Sequence, residues 1–385
     1  MREAVAERAT DLHLEPRDQA IDVRFRIDGR LVHRRVLDDG MREPLVQAAK
    51  IAGRMDITER RRPQDGQGSL VVGGRHFHLR FSCLPAVNGE SIVVRIIDDQ
   101  AGVRSFADMG LLAADEARVR ELLAQPAGLV YVTGPTGSGK TTLLHSMLHN
   151  LPARRINELK IVTLEEPVEI RQPRFFLQVG VEERIGRTFS ELLRHVLRHD
   201  PDVVLVGETR DRATAEITLR AALTGRLCLS TLHTNDALGA VVRLSDLGLD
   251  PVIVASALRG VIAQRLVRRP CPDCVRPHPQ GDLLLARYRG LLDEDAIPAD
   301  RRAFMAASAE GCPACHGRGH RGRTAIVEVC PLRGLERLVA QRAPPAAFRD
   351  HLRPLGCRTL FEDGVRKAAL GLTTIEEVYA AAGEA

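Results

Sequence analysis

The sequence predicts an α/β protein: a parallel sheet covered by helices, a smaller α+β domain before it, and a cysteine-bearing insertion within it. Three observations carry this. From Leu129 onward short apolar runs alternate with helical stretches, the pattern of a parallel sheet buried on both faces. The first hundred residues instead alternate apolar and polar side chains with period two, as half-buried strands do. After Pro270 come two Cys-x-x-Cys pairs.

In chain order, Ile21, Val23, Phe25 and Ile27 point one way and Asp22, Arg24 and Arg26 the other. Asp28-Gly29 then supplies a turn that tolerates positive φ, so this is a hairpin. A second hairpin turns at Gly73-Gly74, with Phe77, Leu79 and Phe81 on one face. Between them Met41 to Met55 has helical spacing. These elements make residues 1–100 an α+β domain, and 101–115, Ser105 to Asp115 in particular, a linker. The apolar runs Leu129–Val132, Ile161–Leu164, Val203–Val206 and Leu227–Leu229 are the parallel strands of the domain 116–385. Its cysteine module spans about 268–322, and short helices fill about 335–385, with Thr374 to Glu377 spaced as a capping box.

The 385 residues are 44% hydrophobic, enough for two or three domains with cores of their own, and 27% charged. The net charge of +5 is spread along the chain, with a local run at Arg60, Arg61 and Arg62, which suits a solvated basic face or a surface that meets phosphates. Aromatic residues are 3% and Trp is absent, so stacking platforms for single-stranded nucleic acid are scarce and no direct nucleic-acid partner is expected. No apolar run approaches the roughly 18 residues that span a bilayer, and the charged N-terminus lacks a signal-peptide core. The expected location is the cytoplasm, where scattered cysteines serve as small buried apolar residues.

Gly134-Pro135-Thr136-Gly137-Ser138-Gly139-Lys140-Thr141 is a complete GxxxxGK[ST] loop, followed by Thr142 and a helical stretch with Leu143, Leu144, Met147 and Leu148. Strand, loop and helix together are the context a phosphate-binding P-loop needs. The glycines let backbone N–H groups curl around phosphates. Lys140 is placed to reach the β- and γ-phosphates, and Thr141 to ligate Mg²⁺. Carboxylates just past the C-terminal ends of parallel strands project into the ligand crevice. Glu208, after Val203–Val206, is therefore the candidate for polarising an attacking water. Glu165 and Glu166, after Ile161–Leu164, are candidates to support Mg²⁺ or the water. His233, past the strand Leu227–Thr231, is placed to sense the γ-phosphate. Arg194 and Arg198 lie four apart on the amphipathic segment Thr188–His199, suited to phosphate-charge stabilisation or a subunit contact.

Cys271, Cys274, Cys312 and Cys315 form two knuckles that can aim four thiolates at one Zn²⁺ in a closed, structural site. Two disulfides or unused thiols are the alternatives. His278, His316 and His320 lie close by in sequence, but four cysteines leave no vacancy for them.

These motifs together resemble the secretion and pilus-assembly ATPases, the group of the type II secretion ATPase and the type IV pilus extension ATPase. The resemblance runs from Thr10-Asp11-Leu12-His13-Leu14-Glu15-Pro16 to Val378. It includes Val23–Gly29, Arg62–Gly66, the P-loop, an acidic box at Thr163–Glu169, a Walker B region from Leu197 to Asp211, a histidine box at Ser230–Ala237, and Ala263-Gln264-Arg265-Leu266-Val267 before the cysteines. It implies a RecA-like P-loop NTPase domain that binds ATP with Mg²⁺ and holds Zn²⁺. It implies Glu208 as the catalytic glutamate and His233 as the histidine-box residue. Arg80 and Arg95 match N-terminal-domain arginines that close onto the γ-phosphate, and Arg194 and Arg198 match arginines of the C-terminal domain. It further implies a homo-oligomer, a hexameric ring, that relays domain closure to an inner-membrane platform protein and is recruited to the inner-membrane face through that partner. The wording from Leu258 to Val267 resembles the type II secretion branch, and the cysteine module is a feature the retraction ATPases lack. Two departures stand out. Glu165-Glu166 replaces the family's Glu-Asp, displacing a carboxylate by one methylene. The chain begins almost at the Asp11 motif, where fuller members carry a further docking domain, which implies a shortened chain or one that docks differently.

Overall fold

The computed structural model describes residues 1–98, 104–152, 158–172, 175–292 and 302–383. It divides into two compact units, Met1–Gly102 and Val103–Ala385.

The first unit is a six-stranded antiparallel sheet with a helix at Arg2–Ala6 and another at Arg42–Ala52. Its strands are β1 (Asp11–Pro16), β2 (Ala20–Ile27), β3 (Arg30–Asp38), β4 (Gln64–Val72), β5 (Arg75–Ala86) and β6 (Gly89–Asp98), in the order β3-β2-β1-β6-β5-β4. Both hairpins form where the sequence places them, β2–β3 across Asp28-Gly29 and β4–β5 across Gly73-Gly74. Period-two alternation is realised: Ile21, Val23, Phe25 and Ile27 are all buried, and Phe77, Leu79 and Phe81 share a core with Val23, Phe25 and Ile27. The Arg-Pro-Gln-Asp-Gly segment shows why it ends in glycine. A Cβ on Gly66 would sit 2.2 Å from the Gly53 carbonyl oxygen, so the strand can approach the end of the helix Arg42–Ala52 only without a side chain.

On one face of this sheet a charged row runs across neighbouring strands. Asp11 pairs in register with Arg26 on β2 and with Arg95 on β6, and Arg95 pairs with Arg80 on β5. Arg95 Nε lies 3.1 Å from Asp11 Oδ1. Directly opposed side chains in an antiparallel ladder are close neighbours. The row therefore sets Arg26 and Arg95 beside the Asp11 carboxylate, with Arg80 one strand further on.

The second unit holds a seven-stranded sheet. Its strands are β7 (Gly128–Thr133), β8 (Ile161–Glu165), β9 (Leu177–Gly180), β10 (Val203–Val206), β11 (Leu227–Leu232), β12 (Leu258–Pro270) and, after two short strands β13 (Arg276–Pro277) and β14 (Met305–Ala306), β15 (His320–Pro331). The order is β15-β12-β7-β11-β10-β8-β9, parallel throughout except for β15, which runs antiparallel to β12. Successive residues of a strand enter opposite cores: Leu129 and Tyr131 pack on one side, Val130 and Val132 on the other. That two-sided burial is the reason the strands read as unbroken apolar runs.

Two expectations are corrected. The segment 104–115 is not a linker; residues 101–103 of the expected linker lie outside the described residues. Phe106, Met109 and Leu111 are buried in the second unit's core, around a short helix Phe106–Met109 whose N-cap Ser105 accepts from the Asp108 N–H. The capping box expected at Thr374–Glu377 does not form. Arg268, on β12, claims the Glu377 carboxylate with its backbone N–H at 3.1 Å and its guanidinium at 3.0 Å. A capping box forms instead at Thr359–Glu362, which has the same spacing.

Candidate nucleotide site and cysteine centre

In the sheet order β12-β7-β11-β10-β8, the P-loop leaves β7, the histidine box leaves β11, Glu208 leaves β10 and the acidic box leaves β8. Four chemistry-bearing loops thus share the C-terminal edge of adjacent parallel strands, where open α/β sheets bind ligands. Side chains tie these loops together. Thr133 Oγ1 accepts from the Thr234 N–H at 2.9 Å, Thr231 Oγ1 donates to the Gly207 carbonyl at 2.7 Å, and the Gly207 N–H donates to the Leu164 carbonyl at 2.7 Å.

The P-loop curls through three glycines of positive φ: Gly134 at 147°, Gly137 at 77° and Gly139 at 87°. The helix Lys140–His149 follows, and its N-cap Gly139 offers no side-chain cap. First-turn N–H donors are therefore left for an anion. Lys140 Nζ donates to the Gly134 carbonyl at 2.7 Å and the Pro135 carbonyl at 3.1 Å. Burial holds the Lys140 pKa below its ordinary value, with the Glu208 charge opposing. A loop that curls on glycines, a cation folded over it and exposed Pro135, Thr136 and Gly137 fit a polyphosphate. Thr141 and Thr142 are half-buried at the start of the helix.

Glu208 is ion-paired to Arg210, and His233 Nε2 lies 3.6 Å from its other oxygen. Arg210 also reaches Glu166 Oε2 at 3.5 Å. Partial burial lowers the His233 pKa, and Lys140 adds to the effect while Glu208 opposes it, which favours the neutral imidazole. Arg210 is the residue that sequence reasoning missed. It joins two carboxylates that the sequence only places on separate strands, and its position two residues past Glu208 was the available signal.

The acidic box divides by burial. Glu165 is buried, and its carboxylate is taken by protein donors: His145 Nε2 at 3.1 Å on one oxygen, Thr163 Oγ1 at 2.7 Å and Gln178 Nε2 at 3.1 Å on the other. Burial works to raise its pKa, and these donors together bring it below the usual value. Glu166, more open, faces Arg210. The structure therefore brings Lys140, Glu208, His233 and Glu166 together, while Glu165 serves the interior.

Arg194 and Arg198 do not join this cluster among the described residues. Arg194 lies 3.7 Å from Glu191, and Arg198 contacts His195 at 2.7 Å, both on the exposed face of the helix Phe189–Val196 and its 3-10 extension. Arg80 and Arg95 belong to the charged row of the first unit.

The β12–β15 hairpin carries the cysteine centre. Cys271 and Cys312 sulfurs are 3.8 Å apart, Cys274 and Cys315 3.9 Å, and Cys312 and Cys315 3.8 Å. A tetrahedron with metal–sulfur bonds of about 2.3 Å has edges of about 3.8 Å, so the four sulfurs already stand at zinc spacing. A disulfide needs about 2.05 Å, and all four cysteines are free thiols. Backbone N–H groups of Cys312 and Gly319 point at Cys315 Sγ at 3.1 and 3.2 Å. Burial raises the pKa of that thiol and the N–H groups outweigh it, bringing it down to about 6. His278 is turned to Glu376 at 2.9 Å, and no histidine joins the four-cysteine group among the described residues.

Residues 1–380 match the family described as type II/IV secretion system protein. The chain belongs to this family. It is 43% identical to type II secretion system protein E of Pseudomonas aeruginosa, over 98% of this chain and 72% of that one. It is 40% identical to type II secretion system ATPase E of Vibrio cholerae, with the same coverage. The type IV pilus assembly ATPase PilB of Myxococcus xanthus is 40% identical over 98% of this chain and 66% of its own length. Among solved structures, the pilus retraction motor PilT with bound ADP superposes with a TM-score of 0.62 at 25% identity, covering 100% of this chain and 96% of that one. The family's fold expectation, a P-loop α/β ATPase, accords with this neighbour.

Proposed function

We propose that this chain is a secretion motor ATPase: it hydrolyses ATP with Mg²⁺ and drives protein export of the type II kind. The observation that carries the reading is the shared strand edge, where Lys140, Glu208 and His233 lie within one set of interlocked loops. The P-loop N–H groups and Lys140 bind the β- and γ-phosphates. Thr141 and Glu166 hold the magnesium, which supplies charge neutralisation for the transferring phosphoryl group. Glu208 orients the attacking water and accepts its proton, which requires release of its Arg210 partner. Arg80 and Arg95 from the first unit, with Arg194 and Arg198, add positive charge to the γ-phosphate or across a subunit contact. The four cysteines hold a structural zinc that fixes the tip of the β12–β15 hairpin.

The working unit in this reading is a homo-oligomer, most simply a hexamer, recruited to the inner membrane by a platform protein. No helix of the described residues is long and apolar enough to cross a membrane. The 40% identity to a pilus assembly ATPase favours pilus extension as the second reading.

The test is steady-state ATP hydrolysis by wild type and Glu208→Gln, with light scattering on the same samples. A slow wild-type turnover, a variant that binds ATP without hydrolysing it, and nucleotide-dependent oligomers support the motor. Equal rates for the two proteins overturn it. Co-purification with pseudopilin or with pilin separates the two branches.

A further inference from the structure

Gln264 lies on β12, the strand beside the P-loop strand, and is completely buried. Its side-chain Nε2 donates to the Ser138 carbonyl at 2.7 Å. Only the NH₂ end of an amide can donate to a carbonyl, so this bond fixes which way the amide faces. Its Oε1 is buried without a hydrogen-bond partner. Leaving a buried amide oxygen unpaired costs free energy that an apolar side chain of the same size would not cost. As a stabilising core residue Gln264 is therefore a poor choice, and the bond to Ser138 is what it contributes.

That bond has a geometric consequence. The Ser138 carbonyl and the Gly139 N–H belong to one planar trans peptide and point in opposite directions. Holding the carbonyl on the Gln264 amide turns the Gly139 N–H the opposite way, away from Gln264. The fit is close on both sides of the loop: a Cβ on Gly139 would lie 2.7 Å from Gln264 Nε2, and one on Gly134 would lie 2.4 Å from the Gln264 carbonyl oxygen. The first glycine of the loop and the one before Lys140 both rest on this single residue.

We infer that Gln264 is a positioning residue for the phosphate loop, holding the Ser138–Gly139 peptide so that its N–H faces a bound polyphosphate. This rests on the nucleotide-binding reading above and adds a residue from outside the loop. The next residue, Arg265, points to the other side of β12 and donates to the Asn235 carbonyl at 3.1 Å, at the end of the histidine box. One strand thus braces two of the loops at the site.

The experiment is calorimetric titration of the full chain with MgADP, which needs no turnover, beside thermal melting of each protein. Gln264→Met keeps the volume and removes the donor. It is expected to weaken MgADP binding about 10-fold, the scale of one lost buried hydrogen bond, while melting cooperatively. An unchanged affinity in a folded Gln264→Met protein overturns the inference. Gln264→Glu gives an independent readout should the methionine variant not fold. A neutral carboxyl can donate its O–H to Ser138 and a carboxylate cannot. The ratio of its affinity to wild type should therefore recover toward one as pH falls, and a ratio independent of pH overturns the inference. Wild type failing to bind MgADP, with Lys140→Ala no different, would remove the nucleotide reading itself. Wild-type binding abolished by Lys140→Ala and unaffected at Gln264 would remove only this inference.

Discussion

The P-loop edge of the sheet and the tip of the β12–β15 hairpin both gather reactive side chains, and different forces hold them. At the P-loop edge, β7, β10 and β11 are buried along their whole length and their loops are tied by Thr133, Thr231 and Gly207. Shape there comes from the core, before any ligand arrives. At the hairpin tip, the knuckles converge on four sulfurs instead. The apolar residues nearby, Leu284, Tyr288, Leu292 and Phe304, pack with the C-terminal helices through Phe361, Val365 and Val378. The lesson is that loss of a group at the edge should remove chemistry without lowering stability, and loss of an ion held by the four cysteines should lower stability without removing chemistry below the transition.

The largest expected effect breaks the chemistry at the edge. Glu208→Gln should lower ATP turnover by about 100-fold or more, the usual scale for a lost general base, with MgADP affinity and melting temperature retained. A variant that hydrolyses normally would move the catalytic role away from β10. The second effect breaks the tip. Chelation, or Cys271→Ser with Cys315→Ser, should lower the melting temperature of the second unit by on the order of 10 °C. Nucleotide affinity measured below that transition should persist. If chelation abolishes binding while the protein is still folded, the two regions are not independent and the comparison fails.

How much of this was legible in sequence follows the same division. Strands buried on both faces announce themselves as apolar runs, and the P-loop announces itself because glycine and lysine spacing is set by the phosphate it holds. Cys271, Cys274, Cys312 and Cys315 are equally legible, since two tight knuckles are the geometry of the site. What a linear pattern cannot show is competition between distant residues. Thr359–Glu362 and Thr374–Glu377 have the same spacing, yet only the first closes a capping box, because Arg268 takes Glu377. Glu165 and Glu166 read as equals until the fold gives one to His145 and Thr163 and the other to Arg210. Residues 104–115 read as linker because a four-residue helix shows no period, although Phe106 is fully buried.

The smallest effect sharpens the comparison within the second unit, between two buried carboxylates that respond to pH with opposite sign. Glu165, depressed by its three donors, favours the folded state when ionised. Its contribution is present above the unfolded carboxyl pKa and is lost as pH falls through the folded one. Glu328, on β15, is raised from 4.5 to about 7, chiefly by burial, with the Ala237 N–H at 3.3 Å only partly offsetting it. Between 4.5 and about 7 the folded chain holds a proton that the unfolded chain releases, so stability falls as pH rises across that window. Glu328→Gln keeps an acceptor for Ala237 and cannot ionise. Its melting temperature relative to wild type should therefore climb by a few degrees between about pH 5 and about pH 8, whereas the Glu165→Gln deficit should stay constant over that rise and shrink only as pH falls below 4.5. Circular dichroism melts at four or five pH values decide it. A Glu328→Gln difference that stays flat with pH would mean that this carboxylate is solvated and ionises normally in the folded chain.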